Sequence, residues 1–318
     1  MSSSQAADQQ SSAAAGHYSG SSDQSVWFRS HYEGAAGEIV QFFAGDGIFL
    51  KGKRVADIGC GDGITDLGVA MLAEPGSLIG YDVVPTDVDH LLALAAKAGV
   101  EVPGGRLPDA LSFVTSDETG LPAPDKSFDY VISWSAFEHI LEPVPLLREI
   151  RRVLADDGVL FIQLWPFYDS AHGTHLVDWF PEGFAQYRYT DEQILATMQA
   201  GPNLDAVPSM YEAYRTLNRI TADGLHAALR EAGFRVVKLH LQSDAVHVPD
   251  QAADLPPSRI GISGIKLLAI KEADRIGASV PSPASSTIPT GLTRRARRFV
   301  LRALRAALRR LDDRLQAR

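Results

Sequence analysis

Three glycines at alternate positions, Gly59, Gly61 and Gly63, follow the apolar run that ends at Asp57 in VADIGCGDGIT, residues 55–65. Glycine accepts positive φ and lets another group approach the backbone, so this stretch either opens space for a ligand or simply makes a tight turn. A G-x-G-x-x-G dinucleotide fingerprint is incomplete, because Ile64 stands at its last position. Two further acids narrow the chemistry. Asp82, in SLIGYDVV, and Asp117, in FVTSDETGLP, each follow an apolar run. A carboxylate at a strand end can accept both hydroxyls of a ribose, and Asp117 would then lie where an adenine amino group falls. That pair suits a single nucleoside along the strand ends, although Asp82 could instead cap a turn and Asp117 could open an Asx-turn.

A second set of residues offers proton chemistry. Histidine titrates near neutrality and is the natural base for an alcohol acceptor. His139 sits in AFEHI, where Glu138 and His139 could equally fix a turn. His172 and His175 stand in WPFYDSAHGTHLVDWFPEGFAQYRY with Asp169 and Asp178 around them. Those acids could orient an imidazole or join it on a metal, but a metal needs at least three converging ligands, and Gly173 between the histidines disfavours one regular helix face. The reading carries no metal site. Eight of the 26 aromatic residues fall between Trp165 and Tyr189, a density that suits either a lid stacking on a ring or a cap with its own core.

These residues need a scaffold, and the chain supplies an alternating one. Ser30–Phe49 reads as a helix leading to a strand at Arg54–Ile58; then come a helix at Ile64–Ala73, a strand ending at Asp82 and a helix at Asp87–Ala98. Strands follow at Leu111–Thr115 and Phe128–Trp134, then a helix at Pro145–Leu154, the turn ADDG and a strand at Val159–Trp165. After an insertion over 166–220, a helix at Ala222–Gly233 precedes the strands FRVVKLHL and GIKLLAIKE. Strand–helix alternation implies an α/β fold: a Rossmann-like, doubly wound, mostly parallel seven-stranded sheet with helices on both faces and a lid insertion after the fifth strand. The expected organisation is a disordered tail at 1–24, one domain at 25–274, a Pro/Ser/Thr-rich linker at 275–292 and a basic amphipathic helix at 293–318.

The combination DIGCGDG, GYD, SDETGLPAPDKSFDYVIS, AFEHI and REIRRVLADDGVLFI, across about residues 50 to 165, resembles the class I S-adenosylmethionine-dependent methyltransferases. The resemblance implies S-adenosyl-L-methionine as cofactor. It also implies that Asp57, Gly59 and Gly61 face the methionine part, Asp82 the ribose and Asp117 the adenine amino group. The backbone around Ser133 and Trp134 would form the far wall, with Cys60, Val83, Ser116 and Glu118 completing the cofactor site. His139 falls near the cofactor in that family. An acidic, glycine-opened pocket suits a sulfonium and an ammonium.

Composition bounds the partners. With 318 residues, 45% of them hydrophobic, the chain can bury one substantial core. Cys60 is the single cysteine, which excludes a disulfide framework and suits a reducing compartment; a cytoplasmic location is expected. The net charge of −9 hides an asymmetry: residues 293–318 hold ten arginines and two acids, +8, leaving −17 on the rest. A body that acidic repels phosphate backbones, so nucleic acid is excluded as its substrate. In the tail, Val300, Leu304, Leu308, Leu311 and Leu315 make one apolar stripe among arginines, the pattern of a helix on an anionic membrane surface or of one docked on the acidic body. The expected activity is methylation of a glycan or lipid-linked glycan hydroxyl. The alternatives are O- or N-methylation of a phenol or polyketide, and a catalytically silent cofactor-binding scaffold. Oligomeric state is not legible.

Overall fold

A computed structural model describes residues 24–272. The expectations for the N-terminal tail, the linker and the basic helix lie outside those residues. Seven strands form one sheet: β1 Arg54–Ile58, β2 Ser77–Asp82, β3 Leu111–Thr115, β4 Phe128–Trp134, β5 Leu154–Leu164, β6 Phe234–Ser243 and β7 Ile262–Lys271. Their order is β3-β2-β1-β4-β5-β7-β6. The pairings from β3 through β5 are parallel, and β7 runs antiparallel to both of its neighbours. The order reverses direction at β1, so the ends of β1 and β4 border the crevice where doubly wound sheets bind ligands.

Helices cover both faces because the central strands are apolar on both. On one side Ala56, Val131, Leu160 and Ile162 pack against α5 (Pro143–Val153) and α9 (Ala222–Glu231), through Leu147, Ile150, Leu225 and Leu229. On the other, Val55, Ile132 and Phe161 meet α1 (Gln24–Arg29), α2 (Ala36–Ala44), α3 (Ile64–Ala73) and α4 (Val88–Lys97), through Phe28, Ile39, Leu67 and Leu91. Asp87 caps α4, its carboxylate accepting the His90 N–H at 2.9 Å.

Several boundaries differ from the sequence reading: the helix read to Phe49 ends at Ala44, and the one read over Pro145–Leu154 spans Pro143–Val153. The N-terminal helix is not uniform, because a π-helical turn at Ser30–Ala35 separates α1 from α2. The ADDG segment is not a turn before the fifth strand but part of it. Leu154 already pairs with Phe128, and the next register pair is Tyr130 with Val159, so the extra β5 residues are absorbed in an irregular bulge. Complete burial of Leu154 anchors this early start.

Between β5 and α9 the chain forms the short helix α6 (Ala185–Arg188), α7 (Asp191–Ala200) and α8 (Val207–Thr216). α7 begins with a reciprocal capping box between Thr190 and Gln193. This segment has a core of its own, built from Leu176, Trp179, Phe180, Ile194, Met198 and Tyr214. Of the eight clustered aromatics, Phe167, Trp179, Phe180 and Phe184 are buried, so much of that density goes into packing.

Candidate active site

The glycine turn lies directly after β1. Gly59, Gly61 and Gly63 have φ of 76°, 55° and 77°, which L side chains adopt at a cost. Space is also short: a Cβ on Gly59 would lie 2.4 Å from the Ala136 Cβ, and one on Gly63 would meet the Phe113 ring at the same distance. The turn is thus held against the loop that leaves β4. Asp82, at the end of β2, fixes its outer side. One carboxylate oxygen accepts the Gly61 N–H at 2.9 Å and the other accepts the Val84 N–H at 2.9 Å. The Thr86 hydroxyl donates to the Gly61 carbonyl.

Beneath the turn, Asp57 and Asp66 are both buried, at 2% and 0% exposure. Burial pushes Asp57 up to about 7, and burial together with the charge of Asp57 pushes Asp66 well above the usual carboxylate range. One proton held between the two carboxyls would relieve their repulsion, and neither Asp66 oxygen has a hydrogen-bond partner among the described residues. Asp57 Oδ1 likewise accepts no hydrogen bond among the described residues. Cys60 faces Gly80 and Thr86. Burial raises its thiol, which removes it from nucleophilic chemistry.

The other sequence-predicted cofactor residues divide by role. Ser116 donates its backbone N–H to the Asp82 carbonyl, tying the ends of β2 and β3. Val83, Asp117 and Glu118 are exposed. A pocket of about 480 Å³ is lined by Thr115, Ser116, Asp117, Leu121 and Glu149 among others; of the predicted cofactor residues it includes only Ser116 and Asp117. The Ser133 hydroxyl is buried and donates to the Ile58 carbonyl at 2.8 Å, cross-linking β4 to β1. Trp134 stacks on Phe161, with ring centroids 6.3 Å apart.

The loop after β4 carries the second group. Ser135 adopts φ 46°, and its N–H and hydroxyl both donate to Gln163 Oε1, at 2.9 and 2.8 Å. Ala136 lies against Gly59, and Glu138 and His139 follow. Asn218, at the far end of the insertion, holds this loop. Its side-chain amide donates to the Phe137 and Ile140 carbonyls at 2.6 and 2.7 Å, and its N–H donates to the Glu138 carbonyl at 2.9 Å.

The fold brings His139 and His175 together, with ring centroids 5.4 Å apart. One ligand-type atom from each of Glu138, His139 and His175 lies within 4.8 Å of the others. Glu138 is 4% exposed, and neither of its oxygens accepts a hydrogen bond among the described residues; burial pushes it up to about 8. Burial lowers His139. His172 is not part of this group, although burial lowers it too.

The acids expected around the insertion's histidines are engaged elsewhere. Asp169 binds Arg259 at 2.6 Å and accepts the Tyr187 hydroxyl, while Asp178 accepts the Asn203 amide at 3.0 Å. Sequence reasoning named Glu138 only as a turn former and missed Asp66 and Asn218. A second acid nine residues after Asp57, on the first turn of α3, was the available signal for Asp66. Nothing local marks Asn218.

A family model described as a methyltransferase domain matches residues 28–239, well over half of the chain. The chain belongs to this methyltransferase family. It is 28% identical over 266 residues to the malonyl-[acyl-carrier protein] O-methyltransferase of Geobacter sulfurreducens, covering 78% of this chain and 87% of that protein. Two shorter matches are to the ajmaline N-methyltransferase of Rauvolfia serpentina, 32% identical over 35% of this chain and 36% of that one, and to the ubiquinone biosynthesis O-methyltransferase of Roseobacter denitrificans, 27% identical over 42% and 52%. S-adenosyl-L-methionine is the methyl donor that membership of this family indicates. The chain's residues fit that group: a turn with three positive-φ glycines follows a buried acid whose Oδ1 has no hydrogen-bond partner among the described residues. Among the described residues no helix is long and apolar enough to cross a membrane.

Proposed function

We propose that this methyltransferase moves a methyl group to an oxygen, and that the acceptor is a glycan or lipid-linked glycan hydroxyl. The single observation that carries the reading is the convergence of Glu138, His139 and His175 on the loop that packs against the glycine turn. Bound S-adenosyl-L-methionine supplies an electrophilic methyl group. The protein's task is then to hold the acceptor in line and to handle its proton. In this assignment Asp57 receives the methionine ammonium, Asp82 the ribose hydroxyls and Asp117 the adenine amino group, with Gly59, Cys60, Gly61, Val83, Ser116, Glu118, Ser133 and Trp134 shaping the walls. His139 and His175 meet the acceptor oxygen, and the insertion lies over it.

The O-methyltransferase relative supports oxygen as the acceptor atom, because that match spans most of both chains whereas the N-methyltransferase match spans about a third of each. A phenolic acceptor is the second reading, favoured by the name of the ubiquinone biosynthesis relative. The arginine-rich segment 293–318, by its charge and apolar stripe, supports contact with an anionic membrane from the cytoplasmic side and hence a lipid-linked acceptor. Incubation with isotope-labelled cofactor and lysate fractions tests the proposal: label is expected in the glycan or lipid fraction as an alkali-stable ether. Label confined to small aromatic products would replace the glycan with the phenol, and label only on nitrogen would reject oxygen transfer.

A further inference from the structure

We infer that Glu138, His139 and His175 form a binding site for a divalent transition-metal ion, zinc or a first-row neighbour, which takes the acceptor oxygen as a further ligand. Two imidazole nitrogens and one carboxylate oxygen are a donor set suited to such ions, and three protein ligands leave a position open for an exogenous oxygen. The ligand atoms lie within 4.8 Å of one another. Ligands about 2.1 Å from a metal in a tetrahedron are about 3.4 Å apart, so side-chain rotations of under about 1 Å each close the site.

The independent observation is the Glu138 carboxylate itself. Glu138 is 4% exposed, and its two carboxylate oxygens are buried and accept no hydrogen bond among the described residues. A carboxylate in that state requires either a proton or a cation beside it. The surroundings are built to hold such a ligand still. Asn218 pins the backbone on both sides of Glu138 and His139 with three hydrogen bonds. His175 comes from a different segment and is held at φ 62°, its N–H donating to the His172 carbonyl at 3.0 Å. A bound cation lowers the pKa of a hydroxyl placed on it; the O–H bond then breaks with the proton passing to water. This role, but not the binding of the ion, rests on oxygen being the acceptor.

The test uses the full chain, stripped with a chelator and titrated with Co²⁺ alone. Saturable visible absorption of ordered, low-symmetry Co²⁺ at one equivalent is expected, abolished by Zn²⁺. Glu138→Gln, His139→Ala and His175→Ala should each weaken Co²⁺ binding at least about tenfold, while His226→Ala, on the exposed side of α9, should not. Glu138→Gln conserves shape, so it remains decisive should a histidine variant fail to fold. Absence of the spectrum, or binding indifferent to Glu138→Gln, overturns the site and leaves O-methylation standing. Full turnover after chelation overturns the role in acceptor activation. Transfer to nitrogen with Co²⁺ still bound at this site removes the oxygen reading instead.

Discussion

Removing the Asp82 carboxylate should weaken S-adenosyl-L-methionine binding through two separable effects. Charge-assisted hydrogen bonds to the ribose contribute about 1.5 to 3 kcal/mol, or about 12- to 160-fold in affinity. The carboxylate also accepts the Gly61 and Val84 N–H groups, so Asp82→Ala releases the glycine turn as well. Both of these bonds are to a charged acceptor, about 1.5 to 3 kcal/mol each, so the combined loss of affinity should exceed the ribose contribution alone. Asp82→Asn keeps one acceptor oxygen and should lie between wild type and alanine. Calorimetry with S-adenosylhomocysteine and its 2′-deoxy analogue separates the effects. Wild type should discriminate against the deoxy analogue by about 1 to 2 kcal/mol, and Asp82→Ala should hardly discriminate at all. If both proteins discriminate equally, Asp82 only braces the turn and its assignment to the ribose is refuted.

Other consequences are open to direct measurement. Asp57, raised by burial to about 7, offers no negative charge to a cationic ammonium while it is protonated; cofactor affinity measured by calorimetry should therefore rise with pH through about 7 and level off above it. The free protein has the opposite slope, because the folded Asp57 pKa exceeds the unfolded value of 3.8. Its stability, followed by thermal melts, should fall as pH rises between those values. Gly59→Ala combines positive φ with the close approach of Ala136 and should destabilise by about 2 to 5 kcal/mol, which a denaturant titration would show; a cost under about 0.5 kcal/mol would mean that the turn and the loop separate freely. Truncation after Gly291 should abolish flotation with anionic liposomes at low salt while preserving turnover on a soluble acceptor analogue. An intact protein that stays off the liposomes would show that the basic segment serves another partner.

Elements whose signal is local were legible in the sequence. The glycine turn, the βα alternation and α3 at Ile64–Ala73 were read directly, because each is encoded within about a dozen neighbouring residues. What escaped depends on partners far along the chain. The early start of β5 follows from the pairing of Leu154 with Phe128, which no local pattern announces. The convergence of His139 with His175 joins a strand-end loop to an insertion. Sequence proximity misled in the opposite direction for Asp169, which is drawn away from the histidines by Arg259, 90 residues later. The aromatic cluster left lid and core equally open, and burial of Trp179 and Phe180 shows that packing claims a large share.

The Asn218 contacts have a mechanical consequence. The insertion has its own apolar core, so its surface can be repacked without disturbing the sheet. Yet its last residues are stapled through Asn218 to the carbonyls of Phe137, Glu138 and Ile140, and Ala136 in the same loop rests on Gly59. A continuous line of contacts therefore runs from the end of the insertion through residues 136–140 to the glycine turn. Asn218 is thus placed as a tie-rod: under the proposed function, a substrate that seats the insertion would also bear on the glycine turn.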